Sequence, residues 1–229
     1  LNDGTVDGTV ISANGSGNIL IKAQGAGSDI TVNADIVSAS GNISVLAAGS
    51  VSFTGSADIR TSSSAANSGS IDVVAGSGSI TQSAASVFLS TGVTATARLL
   101  AATSVTVGDI EVGGNVSITA TAGSIVDADA LIASANDADQ DITANAVRLS
   151  AGTGIGASVN HLETSVVSLS AAAGNGSIYL LEANAVSIDS VSVSVNRVGS
   201  DANTSLTSDA AQSDIRTAGG NGNIVLRTT

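Results

Sequence analysis

A short phrase recurs along this chain: a glycine, then Asn or Ser, then a β-branched residue, one free position, and another apolar residue. The clearest copy is Gly17-Asn18-Ile19-Leu20-Ile21, and others occupy residues 41–45, 49–53, 69–73, 114–118, 176–180 and 222–226. Two apolar residues spaced two apart lie on the same face of a strand. Glycine tolerates the positive φ of many turns. Each phrase therefore predicts a turn followed by one short strand with a buried side. The residues expected to point inward are Ile19, Ile43, Ile71, Val116, Ile178 and Ile224.

Many short strands bounded by turns fit two architectures, an antiparallel sandwich or barrel and a parallel β-helix. The glycine stands at a fixed place before each strand, so equivalent side chains can stack as ladders between coils, which favours the β-helix. Three polar interruptions separate the strands, at residues 61–68, 127–141 and 196–213, the second being a short helix or a long loop. With roughly 20–25 residues per coil, we expect about nine to eleven coils.

Two longer matches suggest a repeat on a larger scale. Residues 13–22 match residues 218–227 at an offset of 205, and residues 58–61 match residues 214–217 at an offset of 156. The longer match favours 205. Residues 1–229 then form a single β-helix segment, with one repeat of about 205 residues and the start of the next, inside a longer chain or filament. The alternative is that such phrases look alike in any low-complexity β-sequence.

Composition narrows the classes of partner. The hydrophobic fraction of 43% and the regular spacing of β-branched residues exclude simple disorder. The net charge is −12 and the seven Lys and Arg are scattered, so no nucleic-acid partner is expected. No apolar run approaches the roughly 18 residues that span a bilayer, so this segment is not expected to insert into a membrane. The chain contains no cysteine and begins at Leu1, without a secretory signal peptide, so we expect a processed or excised segment.

These glycine-punctuated phrases, in an acidic, cysteine-free chain rich in Ala, Ser, Thr and Gly, resemble the repetitive shafts of large bacterial surface exoproteins. The nearest families are the filamentous haemagglutinin-like adhesins and the autotransporter passengers. Residues 141–156, 162–164 and 176–181 are similar to units that recur in such proteins. The resemblance implies an all-β fold, a right-handed parallel β-helix (solenoid), and an extracellular or cell-surface location. It also implies a role as a stalk, adhesin or filament. The expected partners are adjacent β-helical repeats, identical subunits end to end, or another cell surface.

Catalysis needs titratable groups held together. His161 is the only histidine, and the chain has no Gly-x-Ser-x-Gly elbow. Carbohydrate-active β-helices need paired carboxylates and aromatic or basic surfaces for sugar rings, whereas the aromatic residues here are Phe53, Phe88 and Tyr179 alone. We therefore expect no catalysis, with a carbohydrate-active enzyme as the alternative of another class.

One acidic run is a metal candidate. Its members are Asp127, Asp129, Asp137, Asp139 and Asp141. Alternating aspartates resemble the start of a calcium loop, but Ile142 stands where that loop needs glycine, and Arg148 stands where it needs a bidentate glutamate. The run predicts a Ca²⁺ site, with a solvated acidic loop as the alternative.

Overall fold

The chain forms a parallel β-helix, as the recurring phrase predicts. The computed structural model describes residues 1, 8–61, 69–129 and 139–229, which contain twenty-three strands and no helix. All strand pairs but one are parallel. In chain order the strands are β1 Thr9–Ala13, β2 Ile19–Ala23, β3 Ile30–Val32, β4 Asp35–Ser38, β5 Ile43–Ala47, β6 Val51–Phe53, β7 Ile59–Thr61, β8 Ile71–Ala75, β9 Ile80–Gln82, β10 Val87–Ser90, β11 Thr96–Ala101, β12 Val105–Val107, β13 Asp109–Val112, β14 Asn115–Ala120, β15 Ile125–Asp127, β16 Ile142–Ala151, β17 Leu162–Ala173, β18 Ile178–Glu182, β19 Ser187–Ile188, β20 Val191–Val198, β21 Thr204–Gln212, β22 Ile215–Thr217 and β23 Ile224–Thr228.

Each coil adds one rung to each of three faces. In the first five coils, β1, β4, β7, β10 and β13 form face one, β2, β5, β8, β11 and β14 form face two, and β3, β6, β9, β12 and β15 form face three. The long strands β16 and β17 turn a corner, because their first halves pair on face one and their second halves on face two. The described residues complete eight coils and begin a ninth. The predicted nine to eleven coils are not confirmed by this count, and residues 191–212 leave the winding and form a hairpin.

The interior is a column of apolar side chains, aliphatic except for Phe53 and Phe88, whose rings pack edge to face. Ile19, Ile43, Ile71, Val116 and Ile178 are buried, which confirms five of the six predicted inward positions. The sixth residue, Ile224, is in register with buried Ile178 but is itself 46% exposed. Its strand β23 pairs with β18 along one edge, and no strand among the described residues pairs along the other.

Most of the glycines that open the phrases, Gly17 excepted, are required by close approach between rungs. A Cβ placed on Gly41 would lie 2.0 Å from the carbonyl oxygen of Gly17, and a Cβ on Gly69 would lie 2.0 Å from that of Gly41. The reason expected from the sequence, a positive φ, is wrong for these positions. The glycines with positive φ are Gly15, Gly27, Gly55, Gly156 and Gly220, none of which opens a phrase.

The polar residue before each strand has a structural task at the corner. The Oδ1 atom of Asn18 accepts a hydrogen bond from the backbone N–H of Asn42 in the next coil, at 2.9 Å. At another corner, Asp35 Oδ1 accepts the N–H of Asp58 at 3.0 Å. These side chains accept hydrogen bonds from backbone N–H groups that have no partner in the hydrogen bonding between strands. The Asn or Ser of the phrase therefore links one coil to the next through a side-chain hydrogen bond at the corner, and these stacked bonds are called corner ladders below.

The structure also bears on the predicted polar interruptions and on the predicted long repeat. The third polar interruption, residues 196–213, is mostly strand, because β20 and β21 form an antiparallel hairpin there. The two copies of the long match lie on different faces, since Ile19 begins a rung of face two and Ile224 a rung of face three. The repeat of about 205 residues stays a prediction. Residues 62–68 and 130–138, which hold most of the other two interruptions, lie outside the described residues.

Candidate metal centre

Three of the five predicted calcium ligands come together at the corner between faces three and one. Asp127 ends β15, Asp129 follows two residues later, and Asp141 stands directly before β16 in the next coil. One carboxylate oxygen from each lies within 4.8 Å of the others. Asp127 and Asp141 are buried, and Asp129 is half-buried. The winding itself makes this cluster, because each coil returns the chain to the same corner one rung higher.

Several of these oxygens already accept hydrogen bonds. Asp127 Oδ1 accepts the backbone N–H of Asp129 at 2.7 Å, and its Oδ2 accepts the side-chain amide of Asn160 at 2.6 Å. Asp141 Oδ2 accepts the N–H of Glu163 at 2.7 Å. The last contact repeats the corner ladder, so Asp141 has a structural role whether or not it binds an ion.

Burial dominates the electrostatics of the cluster. Removal from water, followed by the charge of Asp127, raises the pKa of Asp141 far above its usual range, against the opposing N–H of Glu163. The raised pKa favours the protonated form of Asp141, which can donate a hydrogen bond to the Asp127 carboxylate. A cation here would take the place of that proton.

The chemistry of the cluster suits a hard cation. Ca²⁺ takes six to eight oxygen ligands, mostly carboxylates and carbonyls, in flexible geometry. Asp127, Asp129 and Asp141 offer three carboxylates. The raised pKa of Asp141 means that a proton competes with the metal for this carboxylate. Calcium binding at this corner stays a prediction.

The other two predicted ligands lie apart from this cluster. Asp137 is outside the described residues. Asp139 is exposed and belongs to a second acidic group, whose other members are Asp109 and Glu111. Burial first, then the charges of Glu111 and Asp139, raise the pKa of Asp109 to about 7. The acidic run therefore divides between two neighbouring surfaces.

Sequence reasoning missed Asn160 and Glu163. Glu163 is buried and stands beside Asp141 because β16 and β17 pair in register. An acidic residue directly before Ile recurs at residues 29–30, 35–36, 58–59, 109–110, 141–142 and 214–215, at rung starts on all three faces. Glu163 precedes Thr164, so this pattern does not find it, and Asn160 lies in a connection without any such pattern.

His161 lies next to this corner. It is buried, and its ring stacks on Tyr179 with the centroids 5.7 Å apart. Burial, followed by the charge of Arg227, lowers the pKa of His161, so the imidazole is neutral at neutral pH. Among the described residues, no hydrogen bond joins its Nδ1 to a partner. Tyr179 therefore provides the contact that holds the ring.

No protein-family model, curated protein or solved structure matches this chain at a significant level. Within the described ranges, the structure offers no helical segment capable of crossing a bilayer. Function must therefore be argued from the fold and from the surfaces that it presents.

Proposed function

We propose that this chain is a segment of an extracellular β-helical shaft, whose work is to span distance or to present a surface. The observation that carries the proposal is the uniform winding, in which each coil repeats the same three faces over one aliphatic column. In such a protein each unit buries its apolar face on its neighbours, so length grows with the number of coils. Seven intervals of ~4.8 Å give about 34 Å for this segment.

The surface chemistry supports the same role. Apolar side chains fill the interior, while the corners carry Asn, Ser and Asp that bond to the next coil. The net charge of −12 keeps a long, repetitive β-structure soluble through self-repulsion. The same charge opposes binding to nucleic acid or to anionic lipid.

Location tests the proposal most directly. Antibodies raised against residues 8–61 should label intact, unpermeabilised cells that produce the native chain, and immunogold particles should lie outside the envelope. Labelling that requires permeabilisation would contradict an extracellular shaft. In parallel, the purified chain should release no reducing ends from a panel of acidic and neutral polysaccharides. Release at a rate that depends on enzyme concentration would support the carbohydrate-active alternative.

A second candidate is a filament subunit that stacks end to end, and the exposed edge of β23 favours it. Ile224 is 46% exposed on the last described rung of face three. An unpaired strand edge is a template for another strand. In a filament, the first rung of a second copy would pair there. Light scattering over a concentration series tests this stacking, because it gives a mass that grows with concentration. Ile224→Lys should suppress that growth.

A further inference from the structure

The β20–β21 hairpin lies along face two and touches coils far from its own place in the sequence. It leaves the eighth coil between β19 and β22 and runs back as far as the first, where Asn18 Nδ2 donates to the carbonyl oxygen of Ala202 at 3.0 Å. β20 contacts β5, β8, β11, β14, β16 and β17 on the way. The hairpin therefore crosses rungs that otherwise contact only their neighbours.

One edge of β20 is paired to side chains of successive rungs. Its backbone bonds fall at every second residue and meet one coil after another. The bonds are Val198 N–H to Ser44 Oγ at 3.0 Å, Asn196 N–H to Ser70 Oγ at 2.8 Å, Thr96 Oγ1 to the Ser194 carbonyl at 2.8 Å and Asn115 Nδ2 to the Ser192 carbonyl at 3.5 Å. This regular matching satisfies an edge that would otherwise be open.

A buried ion network fixes the middle of the hairpin. Asp72 of the third coil is fully buried and bonds to Arg98 of the fourth coil at 3.2 Å and to Arg197 of the hairpin at 2.6 Å. Arg98 in turn meets Asp209 of β21 at 2.9 Å, and Ser117 of the fifth coil donates to the same carboxylate at 2.7 Å. Charges this well buried are costly to separate, because removing one partner leaves another unpaired.

A small apolar cluster outside the helix interior completes the attachment. Val191, Val193 and Val195 alternate with exposed residues along β20 and pack with Ala146 on the outer side of face two. This cluster is distinct from the aliphatic column inside the coils. The hairpin can therefore be disturbed without changing the interior.

From these contacts we infer that the β20–β21 hairpin is a clasp that couples the first seven coils, so that they open together. Without it, a β-helix is coupled only between neighbours and frays from its ends one coil at a time. With it, opening the first coil requires release of a segment of the eighth. The clasp acts on the helix itself and does not depend on the shaft proposal.

Hydrogen exchange on the full chain, followed by mass spectrometry, tests the clasp. Val195→Asp places a charge beneath the hairpin, and Val167→Asp is the matched control, because Val195 is 1% exposed and Val167 is 62% exposed. We expect Val195→Asp to speed exchange of the β2, β5 and β8 amides by about tenfold or more, while the amides of β18 keep their rates. The control should leave β2, β5 and β8 unchanged. Faster exchange confined to residues 191–212 would overturn the inference.

A milder pair of variants decides the question where Val195→Asp does not fold. Arg197→Ala removes the hairpin's contact with Asp72, and Arg216→Ala removes an exposed arginine of β22. Arg197→Ala should speed exchange in β2 and β5, which do not contain Asp72, and Arg216→Ala should not. Equal effects of the two variants, or an effect of Arg197→Ala limited to β8 and the hairpin, would show that the hairpin acts only locally on face two.

Discussion

Replacement of Gly69 by Ala should be among the most damaging single-methyl additions to this helix. The new Cβ would lie 2.0 Å from the carbonyl oxygen of Gly41, and real Cβ atoms essentially never approach closer than 3.0 Å, so the two rungs must separate by about 1 Å. That shift disturbs the bond from Ile43 N–H to the Ser70 carbonyl, now 2.9 Å, and the bond from Ser70 N–H to Asn42 Oδ1, also 2.9 Å.

Overpacking costs about 1–3 kcal/mol, and each weakened hydrogen bond adds about 1 kcal/mol. Against this, alanine restricts the unfolded chain and returns about 0.4–1 kcal/mol. The net loss of unfolding free energy is therefore about 2–5 kcal/mol. For a chain of this size it lowers the melting temperature by about 10 °C.

Gly15→Ala is the control, because Gly15 has a φ of +60° and a Cβ added there would meet no atom within 4 Å. Its cost is that of an L-residue in the left-handed region, about 1–2 kcal/mol. Far-UV circular dichroism during thermal and urea unfolding measures both variants against the parent. If Gly15→Ala destabilises the protein as much as Gly69→Ala does, close approach between rungs is not the reason for the glycine.

Three further predictions concern burial, pH and calcium. Ile178→Asp should cost several kcal/mol in a urea titration, because it buries an unpaired charge, whereas Val93→Asp, at a site 72% exposed, should change stability by less than about 0.5 kcal/mol. The pKa of Asp109 is raised to about 7, chiefly by burial, so the native state binds its proton more tightly than the unfolded chain does and stability falls as pH rises from about 4 to about 7. Asp109→Asn should flatten that part of the profile in melts between pH 4 and 7.5, and an unchanged slope would contradict the assignment. Millimolar Ca²⁺ should raise the melting temperature of the parent and of Asp139→Asn but not of Asp127→Asn. No shift in any of the three removes the calcium site.

The period of two in the apolar pattern was sufficient to predict most of the interior. Ile43 and Ile71 follow directly from the phrase, because alternate residues of a strand share a face wherever the strand lies. Ile224 shares that pattern and is exposed, since burial also depends on a neighbouring rung. The same limit applies to Gly41. A positive φ and a close approach between backbones both require glycine, and only the distance to the neighbouring rung shows which of these two reasons applies to Gly41.

The hairpin and the acidic corner depend on contacts between distant parts of the chain. The alternation Val-Ser-Val-Ser-Val at residues 191–195 predicts a strand correctly, but a rung and a hairpin strand have the same period. Only the turn at residues 199–203 and the valine cluster on face two show that this strand leaves the winding. Asp127 and Asp141 meet because the fifth coil closes between them. The length of a coil is not encoded in any local motif, so Glu163 could not be placed beside Asp141 in advance.

The corner ladders give the helix a direction of assembly. In most of them, the side-chain acceptor belongs to the earlier coil and the donating amide to the later one, as in Asn18 and Asn42 or Asp141 and Glu163. A chain that emerges amino-terminus first thus finds the acceptors of its last finished coil already in position. Each finished coil in turn presents N–H groups to its successor, as when Ile19 N–H donates to the Asn42 carbonyl at 2.8 Å. The hairpin, which follows the first seven coils in sequence, can close only when the rungs it binds already exist, so a segment made after those coils also seals them.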